Sequence, residues 1–574
     1  MACSSMSFDD ENDENALLDE EFIIEEWEGS SGDDENYSTD VEVESESENE
    51  EDNVVPPVNN DPIWVRTPPQ FGVAELDFTG NPGVNEDVVK GNEPLHIFEL
   101  IVTDDLVAHI VGMTNKYAAQ QMSKPTFTLS NRTKKWKEVT AEEIRLLIGF
   151  ILYQGVVWKP TYAHYFTANK LFETPGTRNL MSYNRFVNID RFLHFVDNEE
   201  LGDSYAKAAK ISPIWDYMNE RFQLLYMPKK YVAIDESLVL WKGRLSWKQS
   251  ILTKRARFGF KMYSVNESDT GYLYRSLLYT GKEFTDELCG EYKYVATKIV
   301  NKLMTGLLDE GRTLFVDSWY SSYELGRCML SRMTDVVGTL RSDRKDLPVQ
   351  VNKKKKTEKL KKGDRIVFYD QVTNLMVTQW KDKKDVTMMS SCVNDCTVNV
   401  IRAGKEKTIP TVVDFYNMNM GGVDRSDQML TSYEVERKRV KKWYKKMFHH
   451  LINQAVFNSQ IIHKALGGTL TPLKFREKLI HDIVVKYPPT HVTTPGRHGR
   501  GGVNKDTELR LVGRHFPAYA DDNSEKGLKK KSRRCVVCTK RGNKRKETRF
   551  ICPECDVGLC AAPCFRDYHT KKLY

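Results

Sequence analysis

The first 62 residues contain no lysine or arginine, although 23 of the chain's 80 acidic residues fall there. A lead so rich in Ser, Asn, Asp and Glu cannot bury enough apolar surface to offset its ordering entropy, and it is expected to be disordered. Setting it aside leaves 84 basic against 57 acidic residues, about +27 where the whole chain shows only +4. A body of that charge implies a polyanionic partner. Nucleic acid is the natural one, because phosphate contacts by Lys and Arg release counterions. The chain also lacks any run of eighteen apolar residues, which excludes a membrane-spanning helix. Its beginning lacks the basic-then-apolar pattern of a secretory leader. A reducing compartment is therefore expected, and the eleven cysteines are not expected to be disulfide staples.

What is present divides the chain into segments. Residues 63–95 are rich in Pro, Gly and Asn and complete an N-terminal region, 1–95, with the acidic lead. Residues 96–228 carry helical spacing, with a capping box at Thr140–Glu143 opening the run Ile144, Leu147, Ile148, Ile151 and Leu152. From 229 to 342 the texture changes. Tyr231–Ile234, Gly259–Val265, Tyr272–Tyr279, Leu314–Val316 and Val336–Leu340 read as strands, with helices over Val295–Leu308 and Ser322–Met333. This order of strand, hairpin, helix, strand, helix and strand predicts a mixed α/β sheet of ribonuclease H-like type. Residues 343–410 hold short strands and a Lys353–Lys356 run, and read as a β-rich insertion; the core would resume over 411–433. A helical second part and basic linker follow over 434–525. Within it, 434–466 predicts a long helix with Lys438, Lys441, Lys442, Lys445 and His449 recurring at three- and four-residue spacing. That face suits DNA phosphates; the bland alternative is a solvated basic face above a packed core.

Three aspartates each end an apolar run: Asp235 in Tyr-Val-Ala-Ile-Asp, Asp317 in Thr-Leu-Phe-Val-Asp, and Asp424 in Met-Gly-Gly-Val-Asp. Singly, each is an ordinary turn or cap residue. As a set without an evident cationic partner, they suit a hard dication such as Mg²⁺, which takes oxygen ligands and keeps waters for a phosphate substrate.

Residues 526–574 form a cysteine-rich module. Cys535-x2-Cys538, Cys552-x2-Cys555, Cys560, Cys564 and His569 carry zinc-ligand spacing. Seven candidate ligands exceed one site and fall one short of two. A cross-braced pair of ions would use Cys535, Cys538, Cys560 and Cys564 for one, and Cys552, Cys555 and His569 for the other. The eighth ligand is not identified by the pattern, so one or two Zn²⁺ ions are expected. From residue 526 onward there are fifteen Lys and Arg against four Asp and Glu. That charge favours DNA over a chromatin-tail reader, and Lys529–Arg534 reads as a nuclear localisation signal.

Together, Ala-Ile-Asp235-Glu-Ser, Lys-Arg-Ala-Arg-Phe-Gly-Phe-Lys261, Asn-Met-Gly-Gly-Val-Asp424-Arg-Ser-Asp427-Gln, Arg-Val-Lys-Lys-Trp443-Tyr-Lys-Lys and the terminal Cys/His module resemble the piggyBac transposases, from roughly residue 75 to the end. The resemblance implies an Asp-Asp-Asp transposase on a ribonuclease H-like core, with Asp235, Asp317 and Asp424 as the catalytic triad and Asp427 as a further acidic position. It implies two Mg²⁺ ions, with Mn²⁺ as a substitute, and places Trp443 near DNA at the active site. It further implies cut-and-paste movement at TTAA sites through hairpinned ends, by a homodimer gripping double-stranded end repeats. Ser318 stands where the family often has Asn, and Cys560 where many members have His. The competing expectation is a domesticated DNA-binding protein that keeps the fold without transposing.

Overall fold

The apolar run Val232-Ala233-Ile234 is buried on both sides, as a central strand must be when helices cover both faces of a sheet. The computed structural model describes residues 61–69, 73–125, 133, 136–201, 206–251, 256–286, 288, 292–352, 360–402, 405–437, 440–488, 515–520, 532–541, 546–553 and 555–571. The acidic lead, the Lys353–Lys356 run, Lys438 and most of the basic linker lie outside these. The chain divides into two units, Met1–Val492 and Thr493–Tyr574.

In chain order the strands described in the first unit are β1 Trp64–Val65, β2 Gly83–Val84, β3 Tyr226–Met227, β4 Tyr231–Leu240, β5 Gln249–Ser250, β6 Phe258–Glu267 and β7 Leu273–Leu278. They continue as β8 Thr313–Val316, β9 Asp335–Thr339, β10 Arg365–Asp370, β11 Met376–Lys381, β12 Asp385–Ser390, β13 Thr397–Arg402 and β14 Lys405–Pro410. A ten-stranded sheet runs β1-β10-β11-β12-β9-β8-β4-β6-β5, with β7 also on β6. Its centre, β7-β6-β4-β8-β9, has an antiparallel meander leading into the parallel strands β4, β8 and β9. That is the ribonuclease H-like order expected from the sequence. The segment 343–410 is β-rich as expected. Three of its strands do not stand apart, however: β12 pairs antiparallel with β9 and carries the sheet onward. The hairpin β13–β14 lies outside that sheet.

Alternation along β4, β8 and β9 builds two cores. Val232, Ile234, Leu314, Val316 and Val336 pack with Ile299, Val300, Leu325 and Met329 from helices Val295–Leu303 and Tyr323–Ser331. Ala233, Phe315 and Val337 pack with Val412 and Val413 of helix Thr411–Asn419. The motif glycine Gly259 sits opposite Leu240 in the β4–β6 pair. A Cβ there would lie 1.9 Å from the Val239 carbonyl oxygen, so the two strands approach more closely than a side chain permits.

A separate helical core joins Ile97, Phe98, Leu147, Phe150, Phe222, Phe448, Ile452 and Phe475. The capping box forms as read: Thr140 accepts from the Glu143 amide while Glu143 reaches back to the Thr140 amide. The helix expected over 434–466 is corrected to Trp443–Ala465. The preceding residues are held by tertiary contacts instead. Arg437 donates to the carbonyls of Lys159 and Pro160 and lies over the Tyr162 ring, and Glu436 accepts from His450 at 2.8 Å. Among the described residues, no helix is long and apolar enough to cross a membrane.

Replacing Gly259 with Ala should cost about 1–3 kcal/mol of stability, because backbone rather than a flexible side chain must yield. The check is the midpoint of denaturant unfolding; an unchanged midpoint would show that the strand pair opens freely.

Candidate functional site

Ile234 and Val316 are the last residues paired between the parallel strands β4 and β8. The next residue on each is Asp235 and Asp317, which therefore emerge side by side. Carboxylate oxygens of Asp235, Glu236 and Asp317 all lie within 4.8 Å of one another. Asp317 stands at a strand end, where its Oδ1 accepts from the Trp319 amide at 2.9 Å and turns the chain. Asp235 does not. β4 continues to Leu240 because β6 pairs with it throughout, and Asp235 Oδ1 accepts from the Glu236 amide at 2.8 Å.

Asp424 is exposed in the first turn of helix Gly422–Ser432, where the helix dipole favours a negative charge. It lies outside the tight carboxylate cluster but acts on the same region. Burial raises the Tyr416 pKa, and the charges of Asp317, Asp235 and Asp424 raise it further. Asp427, one turn along, accepts from the Ser237 hydroxyl at 2.6 Å, which ties this helix to β4 two residues beyond Asp235. The second glycine of the motif makes room for the approach: a Cβ on Gly422 would lie 3.0 Å from the Glu267 carbonyl. Arg425 donates to the Ser268 carbonyl at 3.1 Å and secures the same end. Two neighbouring carboxylates with further acidic groups on a docked helix fit a divalent cation bound through oxygen.

Glu236 was not singled out by sequence reasoning. Strand alternation alone would turn it away from Asp235, yet its carboxylate joins the cluster and also pairs with Lys261 at 3.5 Å. The signal for it was only its adjacency to Asp235.

The basic stripe expected on the long helix does not form as a continuous surface. Lys445 is buried, donates to the Asp190 carbonyl and pairs with the Asp190 carboxylate at 3.6 Å. Lys446 and His449 are buried as well. Lys442 precedes the helix and is half-buried, with its ammonium 3.3 Å from the Tyr117 hydroxyl; Lys441 is exposed. Lys438 is outside the described residues. Trp443 meets Trp247 edge-on at 5.3 Å and Phe260 at 6.1 Å between centroids.

In the second unit, β18 Phe550–Cys552 lies between β15 Ala518–Tyr519 and β19 Val557–Gly558, and β16 Arg533–Arg534 pairs with β17 Glu547–Thr548 in a separate ribbon. Two four-ligand clusters form, Cys535/Cys538/Cys560/Cys564 and His515/Cys552/Cys555/His569. The chain supplies them alternately, which is a cross-brace. His515 fills the eighth position that the spacing left unidentified. It lies in the stretch read as linker, and only the β15–β18 pairing brings it beside Cys552. Cys538 Sγ lies 3.5 Å from Cys564 Sγ and 3.9 Å from Cys560 Sγ. Tetrahedral zinc–thiolate bonds of about 2.3 Å place sulfurs about that far apart. Cys555 Sγ lies 3.6 Å from His515 Nδ1 and 3.5 Å from His569 Nε2. The other ring nitrogen of His569 faces the Phe565 carbonyl at 2.9 Å, which orients Nε2 toward the ligand cluster. Both sets fit zinc.

A ribonuclease H-like sheet with carboxylates on adjacent parallel strands, followed by a cross-braced zinc module, defines the class of transposase-fold proteins. The comparisons agree. A family model described as Transposase IS4 matches residues 93–460, and one described as a DDE_Tnp_1-like zinc finger matches residues 520–570. The chain is 25% identical to PiggyBac transposable element-derived protein 2 from Homo sapiens, over 89% of this chain and 81% of that protein. It is 27% identical to PiggyBac transposable element-derived protein 3 from Homo sapiens, over 83% and 76%. The fold matches a cryo-EM structure of a piggyBac transposase synaptic complex with hairpin DNA at a TM-score of 0.64 and 22% identity, covering 84% of this chain and all of that one. The chain belongs to the piggyBac transposase family.

Purified protein is expected to hold two zinc ions per chain, falling to one in His515→Ala and to one in Cys564→Ser, as read by elemental analysis. Full zinc content in His515→Ala would remove His515 from the ligand set.

Proposed function

We propose that this chain is a DNA transposase of piggyBac type, which cuts and pastes DNA at TTAA sites through hairpinned ends. The observation that carries the reading is the meeting of Asp235 and Asp317 on neighbouring strands, with the Asp424–Asp427 helix docked beside them through Ser237. Asp235 and Asp317 would hold two Mg²⁺ ions, or Mn²⁺, and Asp424 with Asp427 would complete the second. When bound, such a pair activates a water or a 3′-hydroxyl and stabilises the leaving oxygen of an in-line displacement. One site then serves both strand cleavage and strand transfer, since the two reactions differ only in the attacking oxygen.

Double-stranded DNA as partner is supported by the charge of the body, about +27 without the acidic lead, and by the solved relative, which is a complex with hairpin DNA. The corrected helix shifts the expected phosphate contacts toward Lys441, with Lys442 and Trp443 beside it, and away from buried Lys445. The zinc module, basic overall, is assigned to end-repeat binding. A homodimer acting in the nucleus completes the reading. The names of the two Homo sapiens relatives describe element-derived proteins, so a domesticated DNA-binding protein is the second reading.

A plasmid excision assay with TTAA-flanked ends taken from the DNA around this gene tests both. Wild type should excise seamlessly, and Asp235→Ala, Asp317→Ala and Asp424→Ala should each fall to background. Specific binding to those ends with no excision by wild type would favour the domesticated reading.

A further inference from the structure

The carboxylate cluster has a third member whose partner comes from outside it. On β4, Glu236 faces Tyr263 of β6 directly and Lys261 diagonally, all on one side of the sheet. The Lys261 ammonium lies 3.5 Å from Glu236 Oε1, and both side chains are 13% exposed. Three rings hold that ammonium: Tyr263 at 4.8 Å, Trp319 at 5.1 Å and Tyr279 at 6.0 Å. Tyr263 and Trp319 stack on each other at 5.7 Å. Trp319 is also the residue whose amide donates to Asp317, so one wall of this cage is bonded to the carboxylate site itself. A lysine so enclosed is a fixed charge. Its flexible stem is immobilised and its attraction to carboxylate and ring faces is little screened by water.

Distance alone would admit Glu236 as a third ligand beside Asp235 and Asp317. We propose instead that Lys261 is a positioning residue, which retains Glu236 as its counter-charge and thereby sets the net charge that a cation at Asp235 and Asp317 encounters. This rests on the reading of those two aspartates as cation ligands. The pair contributes no net charge. Without Lys261, the site gains one unit of negative charge and should hold cations more tightly. Without Glu236, it faces a bare ammonium and should hold them less tightly. Tight binding is not itself useful to catalysis, because binding spent equally on the ground state does not raise the turnover rate.

The test is a Tb³⁺ titration of the full-length chain, read by luminescence sensitised through Trp319 and competed with Mg²⁺. Only the signal lost in Asp235→Ala and Asp317→Ala is counted, which removes binding by the acidic lead. Lys261→Met should tighten binding about tenfold and Glu236→Gln should weaken it about tenfold, the scale expected for one unit charge near a partly buried ion. The double variant should return to within about twofold of wild type, and Lys261→Arg should resemble wild type. A double variant as weak as Glu236→Gln would make Glu236 a ligand and overturn the assignment. So would an unchanged affinity in folded Lys261→Met. Where Lys261→Met alone does not fold, Glu236→Gln against the double variant still decides, since neither retains the Glu236 carboxylate. A wild-type signal independent of Asp235 and Asp317 would sink the cation reading, and this assignment with it.

Discussion

The parallel pairing of β4 with β8 is the constraint on which the rest of the first unit depends. Its register, ending at Ile234 opposite Val316, forces two carboxylates to the same level of the sheet. Apolar burial on both faces pins that register, because a one-residue slip of β4 would turn Val232 and Ile234 out of the core that Leu314 and Val316 share and into the other. Two like charges so placed repel. A cation lying between them would relieve that repulsion. The helix carrying Asp424 and Asp427 is fitted to β4 through Ser237 and to the end of β6 through Gly422, so the acidic groups of three distant segments share one neighbourhood.

The long helix Trp443–Ala465 shows how the same residue types can do opposite work. Its lysines recur at helical spacing and read as a surface stripe. In the fold the helix is enclosed by neighbouring helices on every side, including Pro94–Ile101, Ser212–Leu225 and Pro472–Lys486. Lys445 and Lys446 then serve as long apolar stems ending in ammonium groups that satisfy backbone carbonyls of Asp190 and Arg437. A buried charge without such partners would be costly. Periodicity reports which residues share a face of a helix, but not how many neighbours the helix has.

Cysteine spacing carried the zinc module much further. Two residues between cysteines bring paired thiolates onto one ion almost regardless of context, and the division into two ligand sets follows the pattern in the sequence. His515 escaped it because 37 residues separate it from Cys552. No local rule links a histidine to a site across such a gap. Strand pairing does.

By itself the sequence determined the strand order, the capping box at Thr140, the aspartates that follow the paired apolar runs and seven of the eight residues in the two Cys/His clusters. Each of these depends on local spacing: period two for strands, a three-residue offset for a cap, two residues between thiolates. Only the tertiary structure decided that β4 runs past Asp235, that the strands of 343–410 extend the core sheet, that Lys445 is internal and that Glu236 belongs to Lys261. Those features depend on which segments, far apart in the chain, lie against one another. That is settled by the burial of apolar surface over the whole fold, and no window of sequence contains it.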